Sequence, residues 1–334
     1  MNHSTLSQLG EFGLIARLHR SLGQREGVRV GIGDDAAVLA ALATPVITCD
    51  CLVEGVHFRR DWMTPRQIGR KAMSVNLSDI AAMKARPVAA FVTLALSERD
   101  DLGFVEELYA GLEEIARAFD FTIAGGDTSR SGGGLMLSVT LVGDCVAPVL
   151  RSGARAGDVV LATGTLGDAA AGLALLQAPE VTQDVDADAR QFLLDRHLDP
   201  TARWREMTAL PDGVVQAALD LSDGLAGDAR HIARQSRLDV EIDTALLPIS
   251  AQCHHAAQQL QHRVLDWALG GGEDYELLLC VAPQNAQFVI EAIGDATGTR
   301  VTQIGRCVAS MSEPRVVLRD ANGVVETPQS WTHF

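Results

Sequence analysis

Five short segments carry aspartates beside glycine turns or at the ends of apolar runs, and any fold must house them all. The first is Val30-Gly31-Ile32-Gly33-Asp34-Asp35-Ala36-Ala37-Val38. Successive side chains of a strand point to opposite faces, so only one of two adjacent carboxylates would enter a shared site. Glycines relax that rule by allowing turns and close backbone approach. The others are Val46-Ile47-Thr48-Cys49-Asp50, Asn76-Leu77-Ser78-Asp79, Gly125-Gly126-Asp127 and Asp220-Leu221-Ser222-Asp223-Gly224. Taken singly, each reads as a turn or helix cap, where Asp and Ser are favoured. Taken together, they read as converging acids whose repulsion is offset by a hard divalent cation bound through oxygen.

The chain has 334 residues, enough for two ordinary domains, and its 47% hydrophobic content supports a full core. A net charge of −15 excludes nucleic acid and an anionic membrane as main partners, since both require a basic face. Lys71 and Lys84 are the only two lysines, so a phosphate grip has to come from arginine, backbone N–H groups or metal. The six cysteines, Cys49, Cys51, Cys145, Cys253, Cys280 and Cys307, form no C-x-x-C and read as small hydrophobes. With no basic segment leading into an apolar run at the N-terminus, and no apolar run of membrane-spanning length, the chain is expected to be soluble and cytoplasmic.

Leu6, Leu9, Phe12, Leu14, Ile15, Leu18 and Leu22 recur at helical intervals. Short β segments follow from Val28 to Asp50, then a loop from Asp50 to Phe58. Thr64 and Pro65 start a helix running to about Ala85. A strand over 87–96, a helix over 101–119 and strands over 121–125 and 135–142 complete an α+β unit. A boundary is expected near Ala147–Gly153. The second unit should hold a strand at 158–164, helices to about 208 and a strand at 214–220. A helix capped by Ser222 or Asp223 comes next, then strands at 240–242, 275–281, 301–308 and 315–319. Residues 179–189 read as a loose loop.

P-loop, Rossmann, G-x-S-x-G, H-E-x-x-H and protein-kinase signatures are all absent. What remains is aspartate-rich loops plus glycine turns, the makings of a metal-rich phosphate site. Gly125-Gly126-Asp127-Thr128-Ser129-Arg130 either wraps a phosphate or forms a plain strand-to-strand turn. Ser222 at a helix start can cap it and also face an anion. Gly270-Gly271-Gly272-Glu273-Asp274-Tyr275-Glu276 is either a hinge or a place where backbone passes close to something. Arg151 is a surface charge or a phosphate contact, and His57 by default a partly buried histidine.

The segments Gly31–Asp35, Asp50-x-x-Val53-Glu54-Gly55-Val56-His57-Phe58, Ala72-x-Ser74-Val75-Asn76-Leu77-Ser78-Asp79, Gly125-Gly126-Asp127-Thr128, Arg151-Ser152-Gly153-Ala154, Asp220–Leu225 and Gly271–Leu277 closely resemble the thiamine-monophosphate kinase family. The resemblance runs in order from Glu11-Phe12 to His333-Phe334. That family shares a superfamily with aminoimidazole ribonucleotide synthetase and selenophosphate synthetase. The resemblance implies a two-domain α/β (α+β) fold of the aminoimidazole ribonucleotide synthetase type. Residues 1–147 would bind ATP and Mg²⁺ and dimerise by sheet pairing; residues 148–334 would complete the nucleotide and substrate site.

It also implies a homodimer that converts thiamine monophosphate and ATP, with several Mg²⁺, to thiamine diphosphate and ADP. By position, Asp35, Thr48, Asp50, Asp79, Asp220 and Asp223 resemble metal ligands, with Asp34 assisting; catalysis would depend on Asp35, Asp50 and Asp223. Gly126, Asp127, Arg151 and Ser222 resemble ATP contacts, Asp127 also reaching a metal. His57, Glu273 and Trp331 resemble substrate contacts. Cys49 stands where the family commonly has Thr as a metal contact; Mg²⁺ prefers oxygen, so Cys49 would join through its backbone carbonyl. Other superfamily members fit less well. No reactive Cys or Lys lies in a glycine-rich N-terminal segment, and the chain closes on Trp331-Thr332-His333-Phe334 rather than on cysteine. A non-catalytic sensor would not need every carboxylate.

Overall fold

The computed structural model describes residues 6–32, 35–97, 100–182, 185–320 and 323–324. The chain divides into two compact units, one formed by Met1–Ile80 and Ala85–Val146, the other by Ala81–Lys84 and Ala147–Phe334. Trp331 and Asp34 lie outside the described residues.

The first unit begins with α1 (Leu6–Ser21), interrupted at Gly10, whose φ of 70° and ψ of 170° are not helical. A small antiparallel pair, β1 (Val28–Val30) and β2 (Val38–Leu39), brackets the Gly31–Ala37 segment. Then come β3 (Pro45–Val53), α2 (Pro65–Ala82), β4 (Arg86–Leu96), α3 (Leu102–Ala118), β5 (Thr122–Arg130) and β6 (Met136–Asp144). The start of α2 is a reciprocal capping box. Gln67 N–H donates to Thr64 Oγ1 at 3.3 Å, and Thr64 N–H donates to Gln67 Oε1 at 3.0 Å. Asp101 caps α3 by accepting the Phe104 N–H at 2.8 Å.

The strands form a four-stranded sheet in the order β3-β6-β4-β5, antiparallel except for β4 and β5, which are joined through α3 and run parallel. Two segments read as loops or turns are strand instead. Cys51, Leu52 and Val53 extend β3 by pairing with Ser138, Leu137 and Met136. Gly125–Arg130 continues β5 against Phe91–Leu96. Long-range pairing overrides the local turn preference of glycine and serine there.

The second unit contains β7 (Val159–Thr163), α4 (Asp168–Gln177), α5 (Pro179–Thr182), α6 (Ala187–Leu198), α7 (Trp204–Thr208), β8 (Val215–Asp220), α8 (Leu225–Ser236), β9 (Leu238–Asp243), α9 (Ala251–Gln259), α10 (Val264–Gly270), β10 (Leu277–Val281), α11 (Ala286–Thr297), β11 (Val301–Ala309), β12 (Val316–Asp320) and β13 (Gly323–Val324). Residues 179–189, read as a loose loop, contribute α5 and the start of α6, which Asp186 caps through the N–H groups of Asp188 and Ala189.

The seven-stranded sheet has the order β13-β12-β9-β11-β7-β10-β8, and only β12 and β9 pair parallel. Both of its faces are covered. Leu278 and Cys280 of β10 join the core under α8, with Leu225, Ala229 and Ile232. Leu277, Leu279 and Val281 join the core under α11, with Val289 and Ile293. Burial on two sides is why β10 is apolar at every position rather than alternating. Among the described residues no helix is long and apolar enough to cross a membrane.

Candidate functional site

In the first unit Thr48, Asp50 and Asp79 sit where β3 passes over α2. Alternation along β3 puts Val46, Thr48, Asp50 and Leu52 on one face and Ile47, Cys49, Cys51 and Val53 on the other, exposed face. Thr48 Oγ1 donates to Asp79 Oδ2 across to α2, and the Asp50 N–H donates to Asn76 Oδ1 at 3.1 Å. Asn76 is itself fixed, donating to the Ala72 carbonyl at 3.0 Å. The strand and the helix thus gather oxygen donors only. The Cys49 thiol is turned away from this face: it lies 3.5 Å from Ser138 Oγ and accepts from Thr140 Oγ1 at 3.3 Å. Only the backbone of Cys49 remains to join the Thr48 and Asp50 set.

Asp35 is exposed in the bend after β1, and Asp127 is exposed on β5. Gly126 has φ of 152°, and a Cβ there would lie 1.9 Å from the Val92 carbonyl oxygen, so no other residue fits. His57 follows β3 in a turn, where its Nδ1 accepts the Val53 N–H at 3.1 Å. That bond sets the neutral imidazole with its proton on Nε2. Glu54 braces the same turn through Arg60 Nε at 3.0 Å and the Leu135 N–H at 2.8 Å.

In the second unit the loop after β8 and the glycine loop before β10 are tied together by backbone. Glu273 N–H donates to the Ser222 carbonyl at 2.7 Å, Tyr275 N–H to the Leu221 carbonyl at 2.9 Å, and Leu221 N–H to the Glu276 carbonyl at 2.8 Å. Glu273 and Tyr275 take φ of 58° and 50°, a left-handed conformation that costs a non-glycine residue about 1–2 kcal/mol and persists only because the neighbours enforce it. Asp220, buried at the end of β8, pairs with Leu277.

Neither Ser222 nor Asp223 caps α8; the cap position is Gly224, with no side-chain bond. The sequence pattern missed what orders this turn. Asp228, on the first turn of α8, accepts the Asp223 N–H at 3.0 Å. Burial pushes the Asp228 carboxyl up to about 7, against the pull of that N–H, while the Asp223 charge adds to the rise and Arg151 opposes it. Arg151 and Asp223 therefore both act on Asp228, and Ser222 lies beside Glu273.

Beneath the glycine loop is a buried ionic cluster that no motif announced. Glu276 is fully buried and accepts from Arg203 Nε at 2.7 Å, Arg203 Nη2 at 2.6 Å, Arg196 Nη2 at 2.6 Å and Thr163 Oγ1 at 2.7 Å. Burial alone would raise its carboxyl, but the two guanidinium groups outweigh burial and hold it below the usual range. Asp274 caps α4 from a distance, accepting the Gly167 N–H at 2.8 Å and the Ala169 N–H at 3.3 Å. Burial pushes Asp274 up to about 7, with Arg196 pulling the other way.

Residues 33–145 match the family AIR synthase related protein, N-terminal domain, and residues 155–316 its C-terminal domain. The thiamine-monophosphate kinase of Escherichia coli strain K12 is 40% identical over 330 residues, covering 97% of this chain and 98% of the relative. The crystal structure of thiamine-monophosphate kinase from Stenotrophomonas maltophilia K279a superimposes with a TM-score of 0.80 at 34% identity, over 95% of this chain and 98% of that one. The solved complex of AaThiL with AMPPCP and TMP matches with a TM-score of 0.77 at 34% identity over the full length of both chains. On likeness of this extent, across both domains, the chain belongs to the thiamine-monophosphate kinase family.

Proposed function

We propose that the protein transfers the γ-phosphoryl group of ATP to thiamine monophosphate, giving thiamine diphosphate and ADP. The observation that carries this reading is full-length likeness to thiamine-monophosphate kinases, including a complex with an ATP analogue and TMP. The attacking atom is a phosphate oxygen of the substrate, whose second pKa of about 6 leaves it ionised at neutral pH. No general base is required, and transfer is direct and in line, without a phospho-enzyme.

Asp35, Thr48, Asp50, Asp79, Asp127, Asp220 and Asp223, with the Cys49 carbonyl, are the groups we assign to Mg²⁺. Among the described residues no three His, Cys, Asp or Glu side chains are grouped as a ready-made metal cage. Mg²⁺ keeps several waters and takes one or two carboxylates plus substrate phosphates. The oxygen-only donors along β3 and α2 fit the same ion. When bound, Mg²⁺ supplies charge neutralisation between two polyanions.

Gly126 and Ser222 present backbone and hydroxyl to ATP, and Arg151 donates to its phosphates. His57 offers its Nε2–H to the substrate. Glu273 sets a negative charge against the cationic thiazolium ring. Trp331 gives that ring a π face, a contact worth about 2 kcal/mol when desolvated.

ADP release measured with ATP, Mg²⁺ and thiamine monophosphate, with thiamine as the control acceptor, tests the activity. Release should require the phosphorylated acceptor and stop on chelation of Mg²⁺. Equal release with thiamine would overturn the assignment.

The same reading includes a homodimer built on the first unit's sheet. Ile47 is 64% exposed, and Cys49, Cys51, Val53 and Met136 share its uncovered side, an apolar strip that a second copy would bury. Sedimentation equilibrium should give a dimer that Ile47→Asp converts to monomer; a wild-type monomer at micromolar concentration would contradict it.

A further inference from the structure

Two neighbouring residues at the end of α6 grip the two ends of the glycine loop's acidic stretch. Arg196 Nη2 donates to Glu276 Oε1 at 2.6 Å and to the Asp274 carbonyl at 3.3 Å. Next to it, His197 Nδ1 stands 3.0 Å from Glu273 Oε2. The His197 side chain is 6% exposed and that of Glu273 27%, so the imidazole backs the carboxylate from the protein side while Glu273 still reaches solvent.

The backbone that carries His197 is held in place. A Cβ added to Gly172 of α4 would fall 2.1 Å from the Leu193 carbonyl oxygen and 3.2 Å from His197 Cβ, so α6 lies directly against α4 at this point. The Glu273 backbone is equally constrained, by its left-handed φ and its bond to the Ser222 carbonyl. With both backbones fixed, the remaining freedom lies in the Glu273 side chain, and His197 packs against its carboxylate.

We propose that His197 is a positioning residue that holds the Glu273 carboxylate in the orientation that meets the cationic part of the substrate. This rests on the reading of Glu273 as a substrate contact. Ordering the carboxylate before binding removes part of the entropic cost of association, so its effect falls on substrate affinity. ATP binding and the chemical step do not depend on it.

The test is steady-state kinetics on the full-length enzyme with both substrates varied, together with the thermal midpoint. His197→Phe keeps a flat ring and loses the polar atom. It should raise KM for thiamine monophosphate about fivefold, the scale of one lost close contact to a partly exposed charge. It should leave kcat and KM for ATP within about twofold. His197→Asn, whose amide can occupy the place of Nδ1, should recover most of the loss. In a Glu273→Ala background, His197→Phe should change KM for thiamine monophosphate no further, because the partner it acts through is gone.

Equal effects of His197→Phe in both backgrounds would overturn the proposal. So would a joint loss of kcat and ATP affinity, which marks a general structural role. If His197→Phe does not fold, His197→Ala is read by the same criteria. A Glu273→Ala variant with unchanged KM for thiamine monophosphate would instead refute the reading of Glu273 itself.

Discussion

Asp223→Asn should leave a folded protein whose turnover of thiamine monophosphate falls by about a thousandfold, the scale of losing one strong electrostatic contact to the transferring group. The fold should survive because what orders this turn is backbone. The Asp223 N–H donates to Asp228, and the neighbouring Ser222 carbonyl accepts from Glu273. An amide of nearly the same shape disturbs neither bond. It does remove a negative charge and turns one acceptor into a donor, which a divalent cation does not tolerate. Relief of repulsion toward buried Asp228 should hold the thermal midpoint level or raise it slightly. Near-normal kcat in Asp223→Asn, measured by ADP release under saturating Mg²⁺, would remove this residue from the metal assignment.

Glu276→Ala should have the largest effect on stability, lowering the unfolding free energy by about 3–5 kcal/mol. The reason is an imbalance of charge. Arg196 and Arg203 both turn inward onto this one carboxylate, and their side chains are only 14% and 15% exposed. Removing Glu276 leaves Arg196 with Asp168 at 3.9 Å and Arg203 with Glu206 at 3.3 Å, with the central anion gone. Glu276→Gln, which keeps an acceptor oxygen, should lose less. Because Leu221 is hydrogen-bonded to the Glu276 carbonyl, part of the damage should appear in the Asp220–Asp223 turn as weaker nucleotide binding. Urea unfolding of both variants beside wild type checks the ranking; a Glu276→Ala protein within 1 kcal/mol of wild type would show that the cluster contributes little.

Several elements could be read directly from residue order, and the reasons are local. Thr64, Pro65 and Gln67 announce the start of α2 because a capping box lies within four consecutive residues. The helix over 101–119 is read from residue order too, and Asp101 caps it. The uniform apolarity of Leu277–Val281 signals a strand buried on both faces. The proposed site acids are picked out from residue order alone, by glycine turns and apolar runs that end in aspartate.

Other readings failed where distant partners decide. Gly125–Arg130 looks like a turn because glycine and serine favour one, yet it is strand because β4 runs alongside and offers its backbone. Ser222 and Asp223 look like caps, yet the turn is ordered by Asp228 from within the helix.

By itself, then, the order of residues determined which groups the chain carries: carboxylates, few lysines and glycine-bounded loops, together with the helices whose caps and periodicity lie within a few positions. The folded structure alone decided which of those groups are neighbours. Arg203 and Arg196 reach Glu276 across 73 and 80 positions of chain, and His197 reaches Glu273 from another helix. Contacts of that span leave no periodic trace, because they depend on packing between elements that carry no record of each other in sequence.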